Sequence, residues 1–390
     1  MVKYLYRNLA KASNSGRVDS GQEVLLNVDL ALAHDGTGPT LLEHWNQSTN
    51  KQVKCKKVLI TLDHAFPAPT VKDRKFQKEF AKFSQDKGFC LYSNGEGVLH
   101  QVVAEEQSLW PGMIIVGADG HVATAGAFGA IAFSVSPEKL ISVLENGTFS
   151  AIVPEQVTIA LEGTLAPNIL ARDVALFIVD RLQEEIKGKA VALRGSLLNQ
   201  ISLAGKMSIC NYLPEAGVIT AFVLPQDEGD EIDFIIQAEE IEPLLAVPPS
   251  PTSVSKVKEV AGTEISAAIA GGCSAGRLED MKVIADALSG RKIHPSVTFV
   301  ITPASKKVLD EMEALGISKT IRDAGAVIMP PGCGSCPGRH FGVLSDDDVA
   351  ITTTIRNNLG RIGSEEAKIF LASPLSVALA AINGQITVPQ

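Results

Sequence analysis

Cysteine is scarce, with six in 390 residues, and a chain of this size with so few thiols is not built on a disulfide scaffold. Aromatic residues are also sparse, at 5%. No stretch approaches the ~18 consecutive apolar residues of a membrane span. The opening MVKYLYRNLAKASNSG lacks the continuous apolar segment of a signal peptide. Lys/Arg-rich blocks are missing too, and the net charge is −9, which leaves no electrostatic footprint for DNA. These absences point to a soluble, cytoplasmic chain with neither a membrane nor a DNA partner. An anionic substrate would have to be held by individual arginines against an unfavourable overall field.

What is present is apolar bulk and turn chemistry: 45% hydrophobic residues, 33 Gly and 20 Pro. That profile fits an α/β protein with many tight strand-to-helix turns. Several apolar runs read as buried parallel strands, and chemically capable residues follow at their C-terminal ends. VLITL leads into Asp63 and His64, MIIVGA into Asp119 and His121, AAIAGG into Cys273, and AVIMPPG into Cys333. In open α/β sheets ligands gather outside those carboxyl ends. Helices are expected between them. SKKVLDEMEALG has an N-cap serine, Ser305, apolar Val308, Leu309, Met312 and Leu315, and a closing Gly316. LEDMKVIADALSG (278–290) follows the same grammar. VPPSPTSVSK (247–256), preceded by the acidic run QDEGDEID (226–233), reads as a linker. We expect three α/β domains, over residues 1–152, 153–248 and 252–390. Cys90 and Cys210 read as buried, inert thiols.

The stretch PPGCGSCPGRH holds Cys333 and Cys336 two residues apart. A structural disulfide is disfavoured in a cytoplasmic chain. A redox pair and a zinc site completed by His340 stay open, although zinc usually wants a second CxxC or HxxxH, and none exists here. The third thiol favours another reading. GGCSAGRLED sets Cys273 in a glycine-rich turn opening a helix, where backbone N–H groups favour thiolate and sulfide. Three cysteines fit a [4Fe–4S] cluster with one iron lacking a protein thiolate, since fully ligated electron-transfer clusters normally have four. An iron with an open position is a Lewis acid for a hydroxyl and a carboxylate.

GGCSAGRLED, PPGCGSCPGRHFGVLSD and IRNNLGRIGS, with LDHAFP, GVLHQVV, GADGHVATAGAFGA and SICNYLPEAG, occur in order. Together they resemble the large subunit of the aconitase superfamily, in the short archaeal-type form of isopropylmalate isomerase and homoaconitase. The resemblance implies a three-domain aconitase-like large subunit and a hydro-lyase that dehydrates and rehydrates an anionic hydroxy di- or tricarboxylate. Residue by residue, Cys273, Cys333 and Cys336 match the cluster ligands. Asp63 and His64 match a dyad near the leaving hydroxyl, His64 serving in protonation and Asp63 orienting it. His100 and Glu215 match a second histidine–carboxylate pair, and Asp119 and His121 an Asp-Ser-His turn. Asn211 matches an asparagine near the cluster, and Arg356 and Arg361 match arginines that hold substrate carboxylate and shape the site.

Three positions depart from the family pattern: Gly120 stands where a serine is usual, Ala275 where an asparagine is usual, and Ile355 where an asparagine is usual. Such losses imply a changed substrate or a less tightly held cluster. The resemblance also implies that the swivel domain, with its serine base, is supplied by a small subunit in a heterodimer or heterotetramer. Two alternatives stand beside the enzyme of the isopropylmalate or homoaconitate type: a divergent dehydratase of another hydroxy acid, and a non-catalytic cluster-binding or RNA-binding regulator.

Overall fold

The computed structural model describes residues 2–389. Its first sheet has five parallel strands in the order Cys90–Tyr92, Val58–Thr61, Leu30–His34, Ile114–Gly117, Ile131–Ser134. The three central strands are buried along their whole length and mostly apolar because both faces are covered. Ala31, Ile60 and Val116 meet the helices Gly38–Gln47, Val71–Asp86 and Pro137–Asn146. Leu32, Leu59 and Ile115 meet the helix Leu99–Glu106 and the 3₁₀ segment Val122–Phe128.

A second sheet is parallel in the order Thr220–Val223, Ala190–Arg194, Gln156–Glu162, Phe234–Gln237. In the third, five parallel strands run Lys368–Ala372, Val349–Thr352, Ala267–Gly271, Thr298–Thr302, Val327–Ile328. Its far edge is an antiparallel hairpin, Leu244–Ala246 and Val254–Lys256. The second and third sheets share an apolar core in which Ile159 and Leu193 join Ile269 and Leu371.

The expected helices form, with Ser305 Oγ accepting the Val308 N–H at the start of Lys306–Ala314 and Leu278–Leu288 following the cysteine turn. The expected linker takes a different form. Pro248, Pro249 and Pro251 offer no backbone donors, so the segment closes the hairpin, with the Val247 N–H bonded to Ser253 O. Sheet membership therefore changes before residue 248, at Leu244. The N-terminal helix Tyr4–Ala12 likewise packs Tyr4, Leu5 and Leu9 against Ala190, Ala192 and Phe222 of the second sheet. Cys210 is buried, but Cys90, expected to be buried, is exposed, because it lies on the edge strand of the first sheet.

Strand order fixes where chemistry can gather. In the first sheet the chain proceeds from Leu30–His34 outward on one side, then returns to Ile114–Gly117 on the other. In the third it proceeds from Ala267–Gly271 outward, then returns to Val349–Thr352. Each reversal opens a crevice at the carboxyl ends of two neighbouring strands. Residues following these two pairs of strands line one common cavity.

Candidate active site

The cavity holds about 360 Å³. From the first sheet it receives His34, Asp63, His64, His100, Asp119 and His121; from the third it receives Cys273, Cys333, Cys336, Arg356 and Arg361. The turn after Val58–Thr61 is fixed by Asp35, whose carboxylate accepts the backbone N–H groups of Asp63 at 3.1 Å, His64 at 2.8 Å and Ala65 at 3.1 Å. Asp63 Oδ1 then lies 2.7 Å from His64 Nδ1, while its Oδ2 accepts the Leu99 N–H at 2.6 Å. Burial alone would raise the Asp63 carboxyl, but the charge and hydrogen bond of His64 outweigh it and bring it down to about 2. Burial would lower His64, and the Asp63 carboxylate reverses that and raises it.

Asp119 is the hub of the second constellation. Its Oδ1 is 2.7 Å from His100 Nε2 and accepts the His121 N–H at 2.6 Å. Its Oδ2 is 3.1 Å from His34 Nε2. Burial opposes ionisation of Asp119, but His100 and His34 hold it well below the usual carboxylate range. The pairing expected between His100 and Glu215 is corrected by this geometry. His100 takes Asp119, and Glu215 instead lies 2.9 Å from His121 Nε2. Glu215 also accepts the Arg356 Nε–H at 2.9 and 3.0 Å, and these two partners lower its carboxyl against the effect of burial. Glu215 comes from the second sheet's half of the chain, in the 3₁₀ turn Leu213–Ala216, so a segment distant in sequence completes the His121 pair.

Cys273 follows Ala267–Gly271 through a turn that needs glycine. Gly271 has φ 120°, and a Cβ there would sit 1.9 Å from Thr302 O. Asn211 Nδ2 donates to Cys273 Sγ at 3.5 Å and to Thr124 Oγ1 at 2.8 Å. An Arg361 Nη donates to Cys336 Sγ at 3.4 Å. The Cys333 N–H donates to Asp63 O at 3.0 Å, and Cys333 Sγ is 3.6 Å from His64 Nδ1.

All three thiols are free and half-buried. Burial, with the nearby Cys336 and Asp119, pushes the Cys273 thiol up to about 12. Burial and Asp63 push Cys333 well above the ordinary thiol range. Thiols held protonated this way become thiolates when a metal group replaces their protons. Among the described residues, ligand-capable atoms come within 4.8 Å of one another in two groups, His34–Asp35–Asp63–His64 and His100–Asp119–His121, and neither includes a thiol. One tetrahedral zinc, with Zn–S near 2.3 Å, would gather its sulfurs to within about 4 Å. Three sulfurs that share a cavity without crowding one point fit an iron–sulfur cluster better.

Two departures acquire physical meaning here. A Cβ on Gly120 would lie 2.7 Å from Arg356 Nη2, so the missing side chain leaves the guanidinium its room. Ile355 is 1% exposed in the apolar core shared by the second and third sheets; it does not line the cavity. Ala275 is also buried, and nothing in the structure explains why alanine stands there. Sequence reasoning assigned no role to His34, Asp35 or Arg339. Arg339 is exposed and lines the cavity. His34 had a usable signal, because LALAH is itself an apolar run ending in a histidine.

The family model described as "Aconitase family (aconitate hydratase)" matches residues 6–240 and 250–384. A 3-isopropylmalate dehydratase large subunit 2 from Methanopyrus kandleri is 36% identical over 384 residues, covering 96% of this chain and 95% of that protein. The 3-isopropylmalate dehydratase large subunit of Thermococcus kodakarensis is 36% identical over 374 residues, 95% of this chain and 96% of the relative. A protein named "Probable methanogen homoaconitase large subunit" from Methanothermobacter thermautotrophicus is 32% identical over 411 residues, 98% and 96%. The crystal structure of Thermococcus kodakaraensis aconitase X in its holo form matches with a TM-score of 0.56 at 12% identity, over 94% of this chain and 90% of that one. At that identity the likeness concerns the fold.

Proposed function

The chain belongs to the aconitase family, and from that premise we propose that it is the cluster-binding large subunit of a two-subunit hydro-lyase. Its reaction is the reversible dehydration and rehydration of a hydroxy di- or tricarboxylate of the 3-isopropylmalate or homoaconitate type. Family membership implies an iron–sulfur cluster. We assign it to Cys273, Cys333 and Cys336, as a [4Fe–4S] cluster in which one iron has no protein thiolate. The names of the relatives as large subunits support a small-subunit partner. Six free thiols suit a reducing, cytoplasmic compartment, and no helix among the described residues is long and apolar enough to cross a membrane.

One observation carries the reading: three thiols, the His64–Asp63 dyad and two arginines converge from two sheets on one cavity. When bound, the cluster supplies Lewis-acid affinity for a hydroxyl and a carboxylate. The protein's own groups supply the remainder. His64, shifted toward its protonated form by the Asp63 carboxylate, gives a proton to the departing hydroxyl. Asp63, pinned by the Leu99 N–H, keeps Nδ1 engaged so that Nε2 is the nitrogen free to act. The Arg356 nitrogens left over from its Glu215 contact, together with Arg361, receive substrate carboxylate. The base that removes the proton beside a carboxylate comes from the small subunit.

The test is anaerobic reconstitution of the chain with iron and sulfide, addition of the small subunit, and a screen of 2- and 3-hydroxy acids by absorbance of the unsaturated product. Turnover of such an acid, with about four irons and four sulfides per chain, is the expected result. One tightly held zinc without sulfide overturns the cluster assignment, and a loaded complex inert toward every hydroxy acid overturns the reaction.

A further inference from the structure

His34 is a buried histidine, 2% exposed, that the proposed reaction does not use. Its ring stacks on His64 with centroids 4.0 Å apart and planes 11° from parallel. Its Nδ1 accepts the Gly36 N–H at 3.0 Å. That bond requires a lone pair on Nδ1, so the neutral ring carries its hydrogen on Nε2. Nε2 is 3.1 Å from Asp119 Oδ2 and therefore donates to it. The same ring thus touches both constellations: face to face with the histidine of the Asp63–His64 dyad, and edge-on to the carboxylate that binds His100. Gly36 is part of this arrangement. A Cβ there would fall 2.7 Å from His64 Cδ2 and 2.8 Å from His34 Nδ1. Only a residue without a side chain lets the two rings close on each other.

We propose that His34 is a positioning residue that holds the plane of the His64 ring and a fixed acceptor role for Asp119, so that the two histidine–carboxylate sets act as one preorganised unit. The proposal rests on the assignment of His64 as the acid. His64 is tethered at Nδ1 by Asp63, which leaves rotation of the ring about that contact; stacking on His34 removes it. Asp119 meanwhile receives one donor on Oδ2 from His34 and its other contacts on Oδ1, so both oxygens are engaged and the carboxylate is held in one orientation between the two histidines.

The two contacts separate by substitution. His34→Phe keeps a flat ring and loses the donor; His34→Gln keeps a donor of similar reach and loses the ring. In the loaded complex with its small subunit, each variant should lower kcat about tenfold or more while KM moves less than about threefold, with iron and sulfide content unchanged. Ring resonances of His64 in the ¹⁵N-histidine spectrum of the full chain should shift in both variants and in Gly36→Ala, which displaces both rings and removes no polar group. Wild-type kcat in either His34 variant, or a His64 resonance indifferent to all three substitutions, overturns the inference. The spectrum needs no turnover. A His64 shift in a complex that dehydrates no hydroxy acid therefore sinks the assigned reaction and leaves the positioning role standing.

Discussion

Gly120 and Ile355 are both family departures at single residues, yet they sit in different environments. The space over Gly120 belongs to the Arg356 guanidinium, an atom group at the end of a flexible side chain. Gly120→Ser should therefore move Arg356 without unfolding anything. KM for the carboxylate substrate should rise about tenfold, equivalent to ~1.4 kcal/mol, with kcat little changed in steady-state assays. Ile355 is core. Ile355→Asn would bury an amide without partners at a cost of about 1–3 kcal/mol, visible as a lower Tm in thermal unfolding while kcat of the surviving protein persists. Thiols divide in the same way. Cys273→Ser should abolish iron and sulfide binding, whereas Cys90→Ser, on an exposed edge, should leave both intact in elemental analysis.

At the scale of elements, the turn after Val349–Thr352 ties the two strand ends of the third sheet together. Thr353 Oγ1 accepts the Gly271 N–H at 2.9 Å, and its carbonyl accepts from Ser274 Oγ at 2.5 Å and from the buried Arg172 at 2.8 Å. Arg172 also lies over the Tyr212 ring, 4.6 Å from its centroid. One threonine thereby fixes the cysteine turn relative to the segment bearing Arg356. Thr353→Val leaves the Gly271 N–H without its acceptor, which costs about 1–3 kcal/mol. The expected outcome is a lower Tm and faster iron loss to a chelator than in wild type.

Much of this scale was legible beforehand. VLITL, MIIVGA and AAIAGG are buried strands because parallel sheets covered on both faces must be continuously apolar, and the reactive residues do follow them. Partner choice was not legible. Whether His100 meets Glu215 or Asp119 depends on how a helix, a strand end and a 3₁₀ turn from another sheet are oriented, and spacing along the chain carries no such information. The hairpin Leu244–Lys256 misled for a related reason: Pro and Ser mark a turn without saying whether the flanking strands pair with each other.

For the whole molecule, the proposed division of labour makes a sharp prediction. The purified, cluster-loaded chain should show little or no dehydratase activity until the small subunit is added, and a titration of that subunit should saturate near one per chain; robust turnover by the chain alone would place the base within these 390 residues. Acid should act on the fold as well. Asp63, lowered to about 2, and Asp119 and Glu215, also lowered, contribute stability that is complete above their unfolded values near pH 4–4.5 and is lost as pH falls through the folded ones. Tm of the apo chain should drop steeply between about pH 4 and 2, and Asp119→Asn should flatten that slope.

The Cys333 N–H donates to Asp63 O, and His340 Nε2 lies 3.1 Å from His64 O, so the loop carrying two thiols is stitched to the acid–base turn of the opposite sheet. Oxidative damage at the metal would then travel. A loop that loses the group proposed to sit on its thiols is held less firmly, and its release takes two contacts from residues 63–64 and leaves Asp35 as the remaining anchor of that turn. Amide hydrogens in both segments should become exchangeable together when the cluster is removed, at matched rates, although about 270 positions separate them in the chain. Oxygen would disable such a protein at two addresses with a single blow.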